Sequence, residues 1–167
     1  MQEEMLRIET ERLVETIGRE LTARRMTVST AESCTGGMIA ARLVDYPGIS
    51  AALNEAHVTY ANEAKIRYCG VKAETLAAHG AVSEETAREM AEGLRVTSGA
   101  DIAIATTGIA GPGGGTKGKP VGLVYVACAS AHQTQIKKLN LSGERQQVRK
   151  QAVRHALELA LEIVRSE

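Results

Sequence analysis

Leu6, Leu13, Val14, Ile17 and Leu21 recur at helical spacing through an otherwise charged segment, which predicts a helix over residues 3–24. Residues 26–31 then read as a buried strand, and 36–46 as a helix that ends before Pro47-Gly48. His57, Val58, Thr59 and Tyr60 read as strand, after which Asn62 is placed to cap a short helix closed by Gly70. Residues 73–79 make a further short helix closed by Gly80. Ser83 followed by Glu84 and Glu85 marks the start of another, since acids favour the positive helix end; it turns Ala87, Met90, Ala91 and Leu94 inward. Two strong strands follow, DIAIATT (101–107) and VGLVYVACA (121–129), then the alternating TQIKKLNL (134–141) and an amphipathic helix from about Ser142. Strands and helices mixed in this order imply one layered α/β domain over residues 1–167, with no repeat or linker.

Composition narrows the function classes. A chain of 167 residues supports one core, and the absence of Phe and Trp leaves it to Leu, Ile, Val, Met and Ala. Twenty basic side chains balance twenty acidic ones without a basic stripe, which argues against a nucleic-acid binder, as does the scarcity of stacking aromatics. No apolar run has membrane-span length, and MQEEMLRIETER is too charged for a signal peptide. Cys34, Cys69 and Cys128 are odd in number and lack CxxC spacing, which suits reduced thiols and a cytoplasmic location. The four histidines are scattered, with no zinc-ligand spacing.

Two loops carry candidate chemistry. AESCTGG (31–37) places an acid, two hydroxyls, a thiol and two glycines where a strand hands over to a helix, although a turn needs only one cap. GIAGPGGGTKGKP (108–120) is too glycine-dense for a simple hairpin. Gly113, Gly115 and Gly118 fit a dinucleotide fingerprint, and 113–119 fit the start of a phosphate-binding Walker loop. Both readings fail, because a strand follows instead of a helix and Pro120 stands where a magnesium-binding hydroxyl belongs. Both loops leave the C-terminal ends of strands, the edge at which α/β sheets bind ligands. Ser33 is a candidate nucleophile there, with the amides of Thr35, Gly36 and Gly37 near a helix N-terminus to hold developing negative charge. A serine needs a base, and no histidine stands near, but Lys65 of VTYANEAK follows Tyr60. A desolvated lysine can take a proton, whereas most lysines at such spacing are solvated helix faces, so residue types leave both open. Cys34 is the rival nucleophile or a small buried residue, and Glu32 caps the turn or orients Lys65.

AESCTGG (31–37), VTYANEAK (58–65), HGAVSEETAREMAEG (79–93), TTGIAGPGGGTKGKPVG (106–122) and SGERQQVRKQA (142–152) together resemble the CinA C-terminal domain family. The stand-alone bacterial version of that domain is nicotinamide-nucleotide amidohydrolase. The resemblance spans nearly the whole chain, in order. The larger members' additional molybdopterin-binding-like domain finds no room in 167 residues. The resemblance implies a three-layer α/β/α fold with a mixed sheet. It implies deamidation of nicotinamide mononucleotide (NMN) to nicotinic acid mononucleotide and ammonia, without metal or cofactor, in a homo-oligomer with a dimer favoured. It assigns Ser33 as nucleophile and Lys65 as base beside Tyr60, places Thr107 and Gly108 at the substrate, and gives Arg145 and Arg149 to its phosphate, which guanidinium groups pair bidentately. The alternative is a non-catalytic nucleotide-binding module of the same family, associated with competence or the DNA damage response.

Overall fold

The computed structural model describes residues 1–167, the side chain of Gln2 excepted. Its elements are α1 (Gln2–Arg24), β1 (Val28–Glu32), α2 (Met38–Val44), β2 (Leu53–Val58), α3 (Asn62–Cys69), α4 (Ala73–His79), α5 (Glu84–Ser98), β3 (Ile102–Gly108), β4 (Leu123–Ala129), β5 (Thr134–Asn140) and α6 (Arg145–Ser166), with one 3-10 turn at Ile49–Ala51. They form a single five-stranded sheet in the order β2-β1-β3-β4-β5. β2, β1 and β3 run parallel, and β4 and β5 continue antiparallel, so the sheet is mixed.

Period-two alternation in the strands makes the two faces chemically different. Val28, Ile102, Ile104, Val124, Val126 and Cys128 pack with α1, α2 and α6 in one core. Ala31, Ala103, Ala105, Ala127 and Ala129 point the other way and pack with Cys69 of α3 and Ala87, Met90, Ala91 and Leu94 of α5. The expected three layers are therefore present, and the alanine face lets α5 lie close to the sheet. Among the described residues, no helix is long and apolar enough to cross a membrane.

The structure moves several element boundaries. β2 begins at Leu53 and ends at Val58, so Thr59 and Tyr60 lie beyond it instead of within it. The Thr59 amide still reaches the Glu32 carbonyl at 2.9 Å, but the chain then turns toward α3. Asn62 is the first residue of α3 and not its cap; Ala61 occupies the cap position and no side chain bonds there. α2 starts at Met38, because Gly36 and Gly37 take φ of 60° and 94° and form the turn itself. Ser83 does cap α5, accepting from the Thr86 amide at 3.2 Å. α6 begins at Arg145 behind a capping box made by Glu144 and Gln147.

Candidate active site

The C-terminal ends of the three parallel strands bring three loops together. The Ser33 amide donates to the Thr106 carbonyl at 3.0 Å, and that of Thr59 to the Glu32 carbonyl. The ladder thus runs one step past the strands and sets Thr59, Ser33 and Thr107 in one row across the sheet. Residue alternation turns these three toward the α3 and α5 face and turns Glu32 the opposite way.

Glu32 is fully buried and accepts four hydrogen bonds. They come from the Thr35 hydroxyl at 2.6 Å and the amides of Gly37 (3.1 Å), Ile39 (3.0 Å) and Ala40 (2.9 Å). A side-chain acceptor thereby occupies the first turn of α2, whose amides have no intrahelical partner. Of the two roles open to Glu32, the structure shows capping, since it makes no hydrogen bond or ion pair with Lys65. The same geometry corrects the expectation for the glycine amides: Gly37 is bonded to Glu32, and Gly36 donates to the Ser33 carbonyl at 3.1 Å. Only the amides of Cys34 and Thr35 in this turn donate to no oxygen of the chain. Because the Thr35 hydroxyl gives its proton to Glu32, the Thr106 hydroxyl, 2.7 Å away, is the donor between the two threonines.

Lys65 is 1 % exposed. Helical side chains lean toward the helix N-terminus, which brings its Nζ back over the start of α3. There it lies 2.8 Å from the Thr59 carbonyl, 3.1 Å from the Tyr60 carbonyl and 3.2 Å from Ser33 Oγ. No carboxylate pairs with it among the described residues. Burial lowers its pKa, opposed more weakly by Cys34, Cys69 and Glu63 nearby. A neutral amine has two protons and one lone pair. In that form the two carbonyls, which can only accept, take the two protons and leave the lone pair toward Ser33, whereas the ammonium form donates to all three oxygens. Ser33 itself is 9 % exposed, at the mouth of the site.

Cys34 is buried, and burial pushes its thiol up to about 11, so at neutral pH it is protonated and a poor nucleophile. Tyr60 serves Lys65 through its backbone; its side chain is 60 % exposed and its hydroxyl accepts from Arg145 at 3.2 Å. Arg145 also donates to the Gly111 carbonyl at 2.7 Å, joining the glycine loop to the β2–α3 loop along one exposed rim. Arg149 is differently used. Its guanidinium donates to the carbonyls of Cys34 (3.0 Å) and Thr35 (2.9 Å) and to Gln146 (3.1 Å), so it braces the Ser33 turn from behind. The Thr107 hydroxyl donates to the Ala81 carbonyl at 2.7 Å and ties the α4–α5 connection to the sheet. Gly108 lies against β4, where a Cβ would meet Val124 at 2.6 Å. The loop's far end is held by Lys119, whose ammonium donates to the His79 carbonyl.

Residue types did not indicate Thr59, Ala81 or Gly111, because each contributes a backbone carbonyl and any residue carries one. A surface groove of about 570 Å³ lies elsewhere, between α1, α2 and α6, and includes none of these residues. It is the convergence of polar groups, and not cavity size, that marks the strand ends as the candidate site.

The family model of the CinA C-terminal domain matches residues 10–164. A competence-damage inducible protein of Clostridium perfringens is 55% identical over 146 residues, 87% of this chain and 35% of that protein. One of Caldanaerobacter subterraneus is 50% identical over 152 residues, 91% of this chain and 37% of that protein. The chain therefore spans about a third of the length of the curated relatives it matches. Among solved structures, a competence/damage inducible protein from Agrobacterium tumefaciens superposes with a TM-score of 0.89 at 44% identity, covering 92% of this chain and 96% of that one. A CinA superfamily protein from Klebsiella pneumoniae gives 0.89 at 40% identity, covering 95% and 99%. With its sheet order, its ESCTGG turn and its buried lysine on these elements, the chain belongs to the CinA C-terminal domain family.

Proposed function

We propose that the chain is a nicotinamide-nucleotide amidase, hydrolysing the carboxamide of NMN through a Ser33–Lys65 pair. The observation that carries this reading is the buried, carboxylate-free Lys65 with two carbonyls on its protons and Ser33 Oγ 3.2 Å away. Ser33 Oγ attacks the amide carbon while its proton passes to the Lys65 lone pair. The amides of Cys34 and Thr35, which donate to no oxygen of the chain, are the donors available to the oxyanion. As the tetrahedral intermediate collapses, the C–N bond breaks and Lys65 returns the proton to the leaving nitrogen, which departs as ammonia. A water then gives its proton to Lys65 and attacks the acyl-serine. Ser33 Oγ leaves, recovers the proton, and nicotinic acid mononucleotide is released. Every proton is accounted for by one lysine, and the cycle calls on no other side chain.

Arg145 is the guanidinium suited to the phosphate. It is exposed, lies on the rim, and has donors left beyond those used by Gly111 and Tyr60. Arg149 is bound to backbone carbonyls and acts on the turn instead. The test is direct: the pure chain with NMN releases ammonia and forms the acid in equal amounts. No release above a heat-killed control, with NMN binding retained, would leave a nucleotide-binding module in its place.

A further inference from the structure

The Arg149 guanidinium makes no ion pair among the described residues. Its donors go to the carbonyls of Cys34 (3.0 Å) and Thr35 (2.9 Å) and to the Gln146 side-chain oxygen. Each of those carbonyls is one end of a planar peptide unit whose other end is an N–H. The Cys34 carbonyl shares its unit with the Thr35 amide. The Thr35 carbonyl shares its unit with the Gly36 amide, which donates to the Ser33 carbonyl at 3.1 Å. That carbonyl in turn shares its unit with the Cys34 amide. The two amides of the turn that donate to no oxygen of the chain are therefore the far ends of two hydrogen-bonded chains that begin on one guanidinium. The chain to Thr35 crosses one peptide unit, and the chain to Cys34 crosses two. The bond between Cys34 and Thr35 is trans, so its N–H points opposite to its C=O. The carbonyl faces Arg149 on α6, and α6 and α3 pack on opposite faces of the sheet, so the Thr35 amide is directed to the side that carries Lys65.

We infer that Arg149 is a positioning residue that polarises the Cys34 and Thr35 amides toward the oxyanion formed at Ser33; the inference rests on the amidase reading above. A cation on a peptide carbonyl draws electron density from the amide nitrogen, because oxygen, carbon and nitrogen share one resonance system, and the N–H is left a stronger donor. Hydrogen bonds linked in this way strengthen one another by about 10–30% per bond. The positive end of α2 is not available for the purpose, because the Glu32 carboxylate already occupies the amides of Gly37, Ile39 and Ala40. A cation set directly beside Lys65 would also oppose protonation of that amine, since like charges repel. Carried through the backbone from the far side of the turn, the Arg149 charge assists the oxyanion without touching substrate or the lysine.

The test compares Arg149→Met and Arg149→Lys with the wild type, each checked by circular dichroism. Removing a whole oxyanion donor costs about 10²–10³ in kcat, so weakening two should cost Arg149→Met about ten- to hundredfold. The loss should fall on kcat, with KM for NMN little changed, and Arg149→Lys, which keeps a cation, should lose less. Guanidinium ion, added to Arg149→Met below the concentration that unfolds it, should restore rate. Urea, which has a similar shape and N–H donors but no charge, should not. The amide nitrogen resonances read the polarisation without substrate. In Arg149→Met that of Thr35 should move upfield, that of Cys34 should move less, and guanidinium should move both back. Equal rescue by urea, a loss in KM instead of kcat, or unmoved resonances would each overturn the inference and leave Arg149 a brace or a phosphate ligand. A wild type that releases no ammonia from NMN would overturn the amidase reading first, and this inference with it.

Discussion

At the scale of the residue, Ser33 and Cys34 are adjacent yet chemically unlike. Ser33 Oγ lies against Lys65, while the Cys34 thiol is raised to about 11 by burial. Turnover of the alanine variants, each checked by circular dichroism, should therefore fall to background for Ser33→Ala and stay within a few-fold for Cys34→Ala. A dead Cys34→Ala beside a working Ser33→Ala would reverse the assignment. Lys65 must be neutral to accept a proton, and burial lowers its pKa from the ordinary 10.5. The kcat/KM profile should rise with pH and inflect below that value, and Lys65→Met should abolish both the rate and the inflection. Arg145→Ala should weaken NMN far more than nicotinamide riboside. A charge-assisted contact is worth roughly 1.5–3 kcal/mol, about ten- to hundredfold in affinity. Equal losses on the two ligands, measured by titration calorimetry, would remove the phosphate role.

At the scale of the element, the position of Lys65 depends on how α3 is seated. The end of α3 lies on α5 at Gly93, where an added Cβ would fall 1.6 Å from the Cys69 carbonyl. That contact allows no side chain, and relief requires α3 to move with Lys65 on it. Gly93→Ala, although favourable to helix propensity, should cost about 1–3 kcal/mol of stability from overpacking. It should also lower kcat more than a surface change of equal destabilisation, which chemical denaturation beside a turnover assay would reveal. The same dependence on seating explains Arg149, which sits on α6 and holds the Cys34 and Thr35 carbonyls. The family resemblance places it with Arg145 as a second phosphate ligand, but only its partners in space distinguish a brace from a rim.

At the scale of the whole molecule, a buried lysine without a counter-ion leaves a mark on stability. Its folded pKa is lowered, so between that value and 10.5 the unfolded chain holds a proton that the folded chain does not. Raising the pH through this window favours folding, and below it the cost of the buried charge is present in full. The melting temperature of the wild type relative to Lys65→Met should therefore climb as pH rises toward 10.5. A difference that stays flat or falls would mean Lys65 is not desolvated in solution.

The order of helices and strands, the fold class and the identity of the Ser33, Lys65 and glycine-loop segments were legible in the sequence. Apolar periodicity, caps and turn residues are local properties of the chain, and IAIA in β3 even encodes one large-residue and one small-residue face. The tertiary structure decided the rest: which way each of two adjacent side chains faces, which amides remain free, and which arginine braces and which stands on the rim. It also decided that Thr59 and Tyr60 serve Lys65 through their carbonyls beyond the end of β2. These are matters of backbone groups, which every residue shares, and of partners many residues apart in the chain. Their identity is set by strand order and register, which no local pattern records.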